Sequence, residues 1–139
     1  MTITMEKGKL IGFFELSKAI KAKGRKSRAL VKFGKILTAK IQDLQEEEKA
    51  LIAEYFEVGT DGNAKQDDEG NPIALEGADT TVYSDEWVAL HKEESVIDLT
   101  EYQPYMEHLM AALEDWDEPI NGFDAVMYDE LLDILESAE

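Results

Sequence analysis

The chain contains no cysteine, which excludes a disulfide framework and any thiolate metal site and removes the mark of a small secreted scaffold. Histidine is scarce. His91 and His108 fall on different predicted elements, and His108 projects away from its helix's apolar stripe, so neither metal ligation nor acid-base work is expected of them. Long hydrophobic runs are missing, and Met1 to Met5 lack the basic-then-apolar pattern of a leader, which leaves the cytoplasm as the expected compartment.

Basic residues are scarce too, outside one segment. Residues 1–40 carry eleven Lys or Arg against two acids, a net of +9, while residues 41–139 carry three Lys against twenty-nine acids, a net of −26. Such a division speaks to partners and solubility rather than to fold. Two readings follow. The basic segment packs beside acidic ones within one molecule, or it forms a patch that meets something else.

What is present is enough apolar material, 44% of 139 residues, for one modest domain spanning 1–139. The expected fold class is mainly α, with one long helix, a polar hairpin or loop insertion and at most a minor β element. Alternation over Thr2 to Met5 predicts a short strand that pairs with Val96 to Leu99. Leu10, Phe13, Phe14, Leu16 and Ile20 begin a helix that stops near Gly24. Ser27 is the expected N-cap of the long helix, about 27–56, on which Leu30, Phe33, Leu37, Ile41, Leu44, Leu51, Ile52 and Tyr55 share roughly a third of the circumference. Its length exceeds the width of a small globule, so one end projects or packs on another protomer. Glu48 lies on that stripe, either reaching water or answering a basic side chain.

Residues 58–82 are rich in turn chemistry, Asp61-Gly62-Asn63 and Asp68-Glu69-Gly70-Asn71-Pro72, and predict a polar hairpin or loop. A short helix follows Ser84. Thr100-Glu101-Tyr102-Gln103 has the form of a capping box and opens a helix over about 101–116, and after a linker at 117–122 the last helix covers about 123–136.

Catalytic chemistry has little to stand on. No serine sits in a nucleophile elbow, and Gly24-Arg25-Lys26-Ser27 lacks the first glycine of a phosphate loop, with Ala19 in its place. A calcium loop starting at Asp61 meets Lys65 and Gln66 at ligand and glycine positions, and one starting at Asp67 meets Pro72. No enzyme activity, metal or cofactor is therefore expected.

Lys9-Leu10-Ile11, Lys21-Ala22-Lys23-Gly24-Arg25-Lys26-Ser27-Arg28, Ala53-Glu54-Tyr55, the Asp-x-Gly-Asn turns and Gly122-x-Asp124-Ala125-x-x-Tyr128 resemble, in order, a family of small phage and prophage proteins of unknown function from Gram-positive bacteria. The resemblance implies a phage-encoded protein in the cytoplasm of a bacterial host, and carries over no activity or site residues. Three roles are weighed. The first is a protein that modulates or inhibits a host defence or nucleic-acid-handling protein through an acidic surface, as a DNA mimic does. The second is an assembly accessory that self-associates as a homo-oligomer. The third is a nucleic-acid binder using Lys21, Lys23, Arg25, Lys26, Arg28, Lys32 and Lys35. A net charge of −17 opposes the third, so no duplex binding is expected, and no membrane partner either. The candidate partner-binding residues are a basic set, Arg25, Lys26 and Arg28, and an acidic set, Glu114, Asp115, Asp117 and Glu118. The acidic run opposes the dipole at its helix C-terminus. It is either a solvated helix end or a surface that meets a basic one on a host protein or a second protomer.

Overall fold

Alternating apolar and polar side chains at the start of the chain form β1 (Thr2–Glu6), with Ile3 and Met5 turned into the core. The computed structural model describes residues 1–118, 120 and 122–138, so the linker expected over 117–122 lies partly outside the described residues. β1 is followed by a single 3₁₀ turn at Lys7–Lys9 and by helix α1 (Leu10–Ala19). Then come α2 (Arg25–Tyr55), α3 (Thr80–Lys92), β2 (Glu94–Asp98), α4 (Gln103–Glu114) and α5 (Gly122–Glu136). The mainly helical class is as expected. β1 and β2 pair antiparallel with Ile3 opposite Ile97 and Met5 opposite Ser95, so the expected pairing forms, beginning at Glu94 rather than Val96.

Three helix starts differ from the sequence expectation. Ser27 does not cap α2, because the chain reverses at Gly24, whose φ of 61° suits glycine, and the helix is under way by Arg25. Thr100 does not build a capping box. Its N–H and hydroxyl donate to the Asp98 carboxylate at 2.9 and 2.6 Å, closing a turn after β2, and α4 starts at Gln103 with Pro104 in its first turn. Ser84 lies inside α3 rather than before it. The Asp79 carboxylate accepts from the Thr81 and Val82 N–H groups at 2.9 and 3.4 Å and starts the helix at Thr80.

The main core is shared by β1, β2, α1, α4, α5 and the first half of α2, around Leu10, Phe13, Phe33, Leu37, Ile97, Leu109, Leu113 and Leu131. α2 packs on α1 and α4. α5 lies chiefly on α1, β1 and α4. Gly34 faces the Phe14 ring, where an added Cβ would sit 3.5 Å from the nearest ring carbon, an ordinary contact distance. The Tyr102 hydroxyl, buried beside Phe33, donates to the Ala29 carbonyl at 2.7 Å and ties α4 to α2.

At 31 residues, α2 is about 46 Å long, and its last turns leave the core. Leu44 is the last fully buried stripe residue, while Leu51, Ile52 and Tyr55 are only half buried. These last turns, residues 56–78 and α3 form an arm. It holds its own aromatic row, Phe56, Tyr83, Trp87 and His91, with successive ring centroids 4.9, 6.0 and 4.6 Å apart.

Residues 56–78 are more ordered than a polar loop. The Glu57 N–H donates to the Ile73 carbonyl (2.9 Å), Lys65 N–H to Glu57 (2.7 Å), and Ile73 N–H to Lys65 (2.9 Å), which closes a ring of three backbone bonds. Turns at Gly62, Gly70 and Gly77, with φ of 80°, 83° and 80°, project from this ring.

Candidate binding surfaces

The seven residues singled out from sequence lie close together. Lys26, in the first turn of α2, is ion-paired with Asp115 at the end of α4, and Lys21 reaches Glu118 at 3.9 Å. The α4 C-terminus thus sits beside the α2 N-terminus, whose first N–H groups have no side-chain cap. An acidic run that opposes the dipole of its own helix is here favourable to that of its neighbour, and this accounts for its position. Lys21, Lys23, Arg25, Lys26, His108 and Asp115 line a cleft of about 480 Å³ between the two helix ends. Glu114 and Asp117 are exposed and, like Arg25 and Arg28, make no ion pair among the described residues. Part of the acidic set is therefore matched by part of the basic set inside one molecule.

Other cations of the N-terminal segment are also engaged internally. Lys7 bridges to Glu47 of α2 at 3.0 Å and to Glu93 after α3 at 3.6 Å, and its pKa is raised, first by the hydrogen bond to Glu47. Lys9 meets Glu130 of α5 at 3.0 Å and is raised in the same way. Lys32 sits 4.9 Å above the Tyr105 ring. Among the described residues, Lys23 and the α2 cations Arg25, Arg28, Lys32, Lys35 and Lys40 make no ion pair.

The arm presents the opposite charge. Residues 45–92 hold thirteen acids against Lys49, Lys65 and Lys92. Some of these carboxylates build the arm. Asp61 accepts from the Asn63 backbone N–H at 3.0 Å, which lowers its pKa, and Asp67 accepts from the Glu69 and Asn71 N–H groups at 2.9 and 3.0 Å. Glu86 accepts from the Tyr55 hydroxyl at 3.0 Å. Glu48 does answer a basic side chain: His91 Nε2 lies 3.0 Å from its carboxylate while Nδ1 faces the Trp87 carbonyl at 2.8 Å. Both ring nitrogens of His91 thus face oxygen atoms, one on α2 and one on its own helix. Asp68, Glu69, Glu76 and Asp85 are exposed, and their carboxylates have no internal partner among the described residues.

Two features escaped the sequence reading. The bond between His91 and Glu48 joins residues 43 apart in sequence, and no local pattern announces it. The ring of turns does have a sequence signal, since Asp61-Gly62-Asn63 recurs as Glu69-Gly70-Asn71 after eight residues. Eight is also the spacing of its bonded residues Glu57, Lys65 and Ile73.

Among the described residues, no group of three or more His, Asp or Glu is arranged to hold a metal ion, and no helix is long and apolar enough to cross a membrane. No family model, curated protein or solved structure matches the chain.

Proposed function

We propose that this is a non-enzymatic, phage-encoded binding protein that inserts its acidic arm into a basic groove of a host protein, one that ordinarily handles nucleic acid. The observation that carries this reading is the arm itself, with thirteen acids against three lysines over residues 45–92, standing out from the core on the last turns of α2. Complementary charge steers encounter and sets partner choice, and carboxylates on a projecting element compete with phosphates for the same cations. The half-buried Tyr83 and Trp87 beside them supply the apolar contact that charge alone lacks. The resemblance to small phage proteins supports a bacterial host as the setting.

The test uses the full chain as bait in a bacterial lysate. A protein captured by it should be released by heparin, a polyanion that competes for the same groove. A variant carrying Asp68→Lys, Glu69→Lys, Glu76→Lys and Asp85→Lys should lose that protein while keeping its helical circular dichroism. Retention of the same partner by the reversed variant sinks the reading.

A further inference from the structure

The arm carries one motif twice. Glu-x-x-Ala-Leu-x-x-Glu occurs at residues 47–54, in the last turns of α2, and again at 86–93, in α3 and the residue after it. The glutamates, alanines and leucines of both copies line an open groove of about 390 Å³ between the two helices. The helices run antiparallel there, since Glu48 meets His91 and Tyr55 meets Glu86. Glu47 therefore stands opposite Glu93 at one end of the groove and Glu54 opposite Glu86 at the other, with the Ala-Leu pairs as an apolar floor between them. Seven residues separate the ends, about 10 Å of helix.

The two ends differ in one respect. At the first, the Lys7 ammonium lies between the carboxylates, 3.0 Å from Glu47 and 3.6 Å from Glu93, and the Lys7 N–H donates to the Glu93 carbonyl at 2.9 Å. At the second, among the described residues, Glu86 accepts from the Tyr55 hydroxyl and neither Glu86 nor Glu54 has a cation within ion-pair distance. Lys49, the one cation in that half of α2, lies against the turn at Gly62 instead. The protein's own lysine thus shows what one pair of glutamates takes, and the matching pair lacks it.

We infer that this groove is the part of the arm that grips the partner, and that its occupant is a basic amphipathic helix on the wall of the host protein's basic groove. A Lys or Arg of that helix enters between Glu54 and Glu86, as Lys7 does at the other end, and its apolar stripe lies on Ala50, Leu51 and Ala89. The inference rests on the reading of the arm as a binder of a basic protein surface, and adds the element that is recognised. Two helices side by side leave a trough two turns long, the shape into which the apolar face of a third helix packs. Acids on both margins select a positively charged one.

The probe is a fluorescein-labelled peptide of about 15 residues, long enough to form a helix, with Leu and Ala on one face and Lys on its margins. A second peptide has Glu in place of each Lys. Anisotropy and amide NMR on the full chain should show the Lys peptide binding saturably and moving the signals of residues 47–54 and 86–93, while the Glu peptide does not bind. Glu54→Gln with Glu86→Gln keeps an acceptor for the Tyr55 hydroxyl and should weaken the Lys peptide about tenfold or more. Ala50→Gln crowds the floor without changing charge, and should also weaken it about tenfold. Asp68→Asn with Glu76→Gln removes the same charge outside the groove and should leave affinity within about twofold. If circular dichroism shows the groove pair unfolded, Glu54→Gln alone, at an exposed position, should weaken binding about threefold. Absence of saturable binding, shifts confined to residues outside the groove, or equal losses in the groove and control pairs overturn the inference. Self-association of the chain that Glu54→Gln with Glu86→Gln abolishes also overturns it, because the occupant is then a second copy. Host capture that depends on Asp68, Glu69, Glu76 and Asp85 while the peptide finds no groove overturns this inference alone and leaves the reading of the arm standing.

Discussion

The two halves of α2 differ in what surrounds them. From Arg25 to Leu44 the helix lies between α1 and α4, with Ala29, Phe33 and Leu37 fully enclosed, and its outward face is basic. From Gln45 to Tyr55 it carries no fully buried residue, its outward face is acidic, and it is held by α3 through aromatic contacts and by Lys7 through Glu47. One continuous backbone thus passes from a region stabilised by apolar enclosure to one stabilised by rings, turns and ion pairs. The second half, Gln45 to Tyr55, is the richer in strong helix formers, so intrinsic propensity does not favour the enclosed half, and what distinguishes that half is tertiary burial.

Breaking the enclosed half should give the largest effect. Leu37 has no exposed surface, and Leu37→Asp puts an unpaired carboxylate against Phe33 and its neighbours, at a cost of about 3 kcal/mol or more. Circular dichroism and thermal melting should show a chain that is largely unfolded. Trp87→Ala, on the arm, should leave the main melting transition in place. Amide exchange should quicken over residues 80–92 while residues 29–41 stay protected. A Trp87 variant that melts as a whole with Leu37→Asp would show that arm and core are one cooperative unit.

A smaller effect sharpens the same contrast within the arm. Gly70 has a φ of 83° and open space where a side chain would go, so Gly70→Ala meets no neighbour and reports backbone conformation alone. The expected loss is about 1 kcal/mol, seen as faster exchange at the Asp67 and Ile73 amides and unchanged protection in α4. Tyr102→Phe is the matching probe in the core. It removes the hydrogen bond to Ala29 without changing shape, and should lower global stability by about 1 kcal/mol in denaturant titration.

The enclosed half was largely legible from sequence. The spacing of Leu30, Phe33, Leu37, Ile41 and Leu44 follows the helical period, and all five are buried. The short sheet was legible from alternation at Thr2 to Met5, because period two has no helical counterpart. Helix starts were harder, since Asp79 and Gly24 competed with Ser84 and Ser27 for the same role, and only the chain's path decides which one acts. The arm was the least legible part. Its contacts join Tyr55 to Tyr83 and Glu48 to His91, pairs too far apart in sequence for any local period to reveal. The acidic run at the end of α4 is visible in the sequence as a cluster of charge, but its neighbour, the N-terminus of α2, could be found only from the fold.

That neighbourhood supports the smallest and most discriminating prediction. Lys26 and Asp115 are paired across the cleft, yet their side chains remain 39% and 64% exposed, so water and salt screen the interaction, and such pairs contribute about 0–1 kcal/mol. A double-mutant cycle with Lys26→Ala, Asp115→Ala and the double variant should give a coupling of a few tenths of a kcal/mol that shrinks as salt is raised. Coupling within one molecule does not depend on protein concentration. If instead the cluster acts by meeting the Arg25 and Arg28 patch of another protomer, the same cycle, measured by chemical denaturation at concentrations a hundredfold apart, should give a coupling that grows with concentration. A concentration-independent value leaves Glu114 and Asp117 as the members of the acidic set still available to a partner. Reversing those two to Lys should then change partner capture without changing the melting temperature, whereas reversing Asp115 and Glu118 should lower it slightly, because Lys26 and Lys21 would each face a like charge.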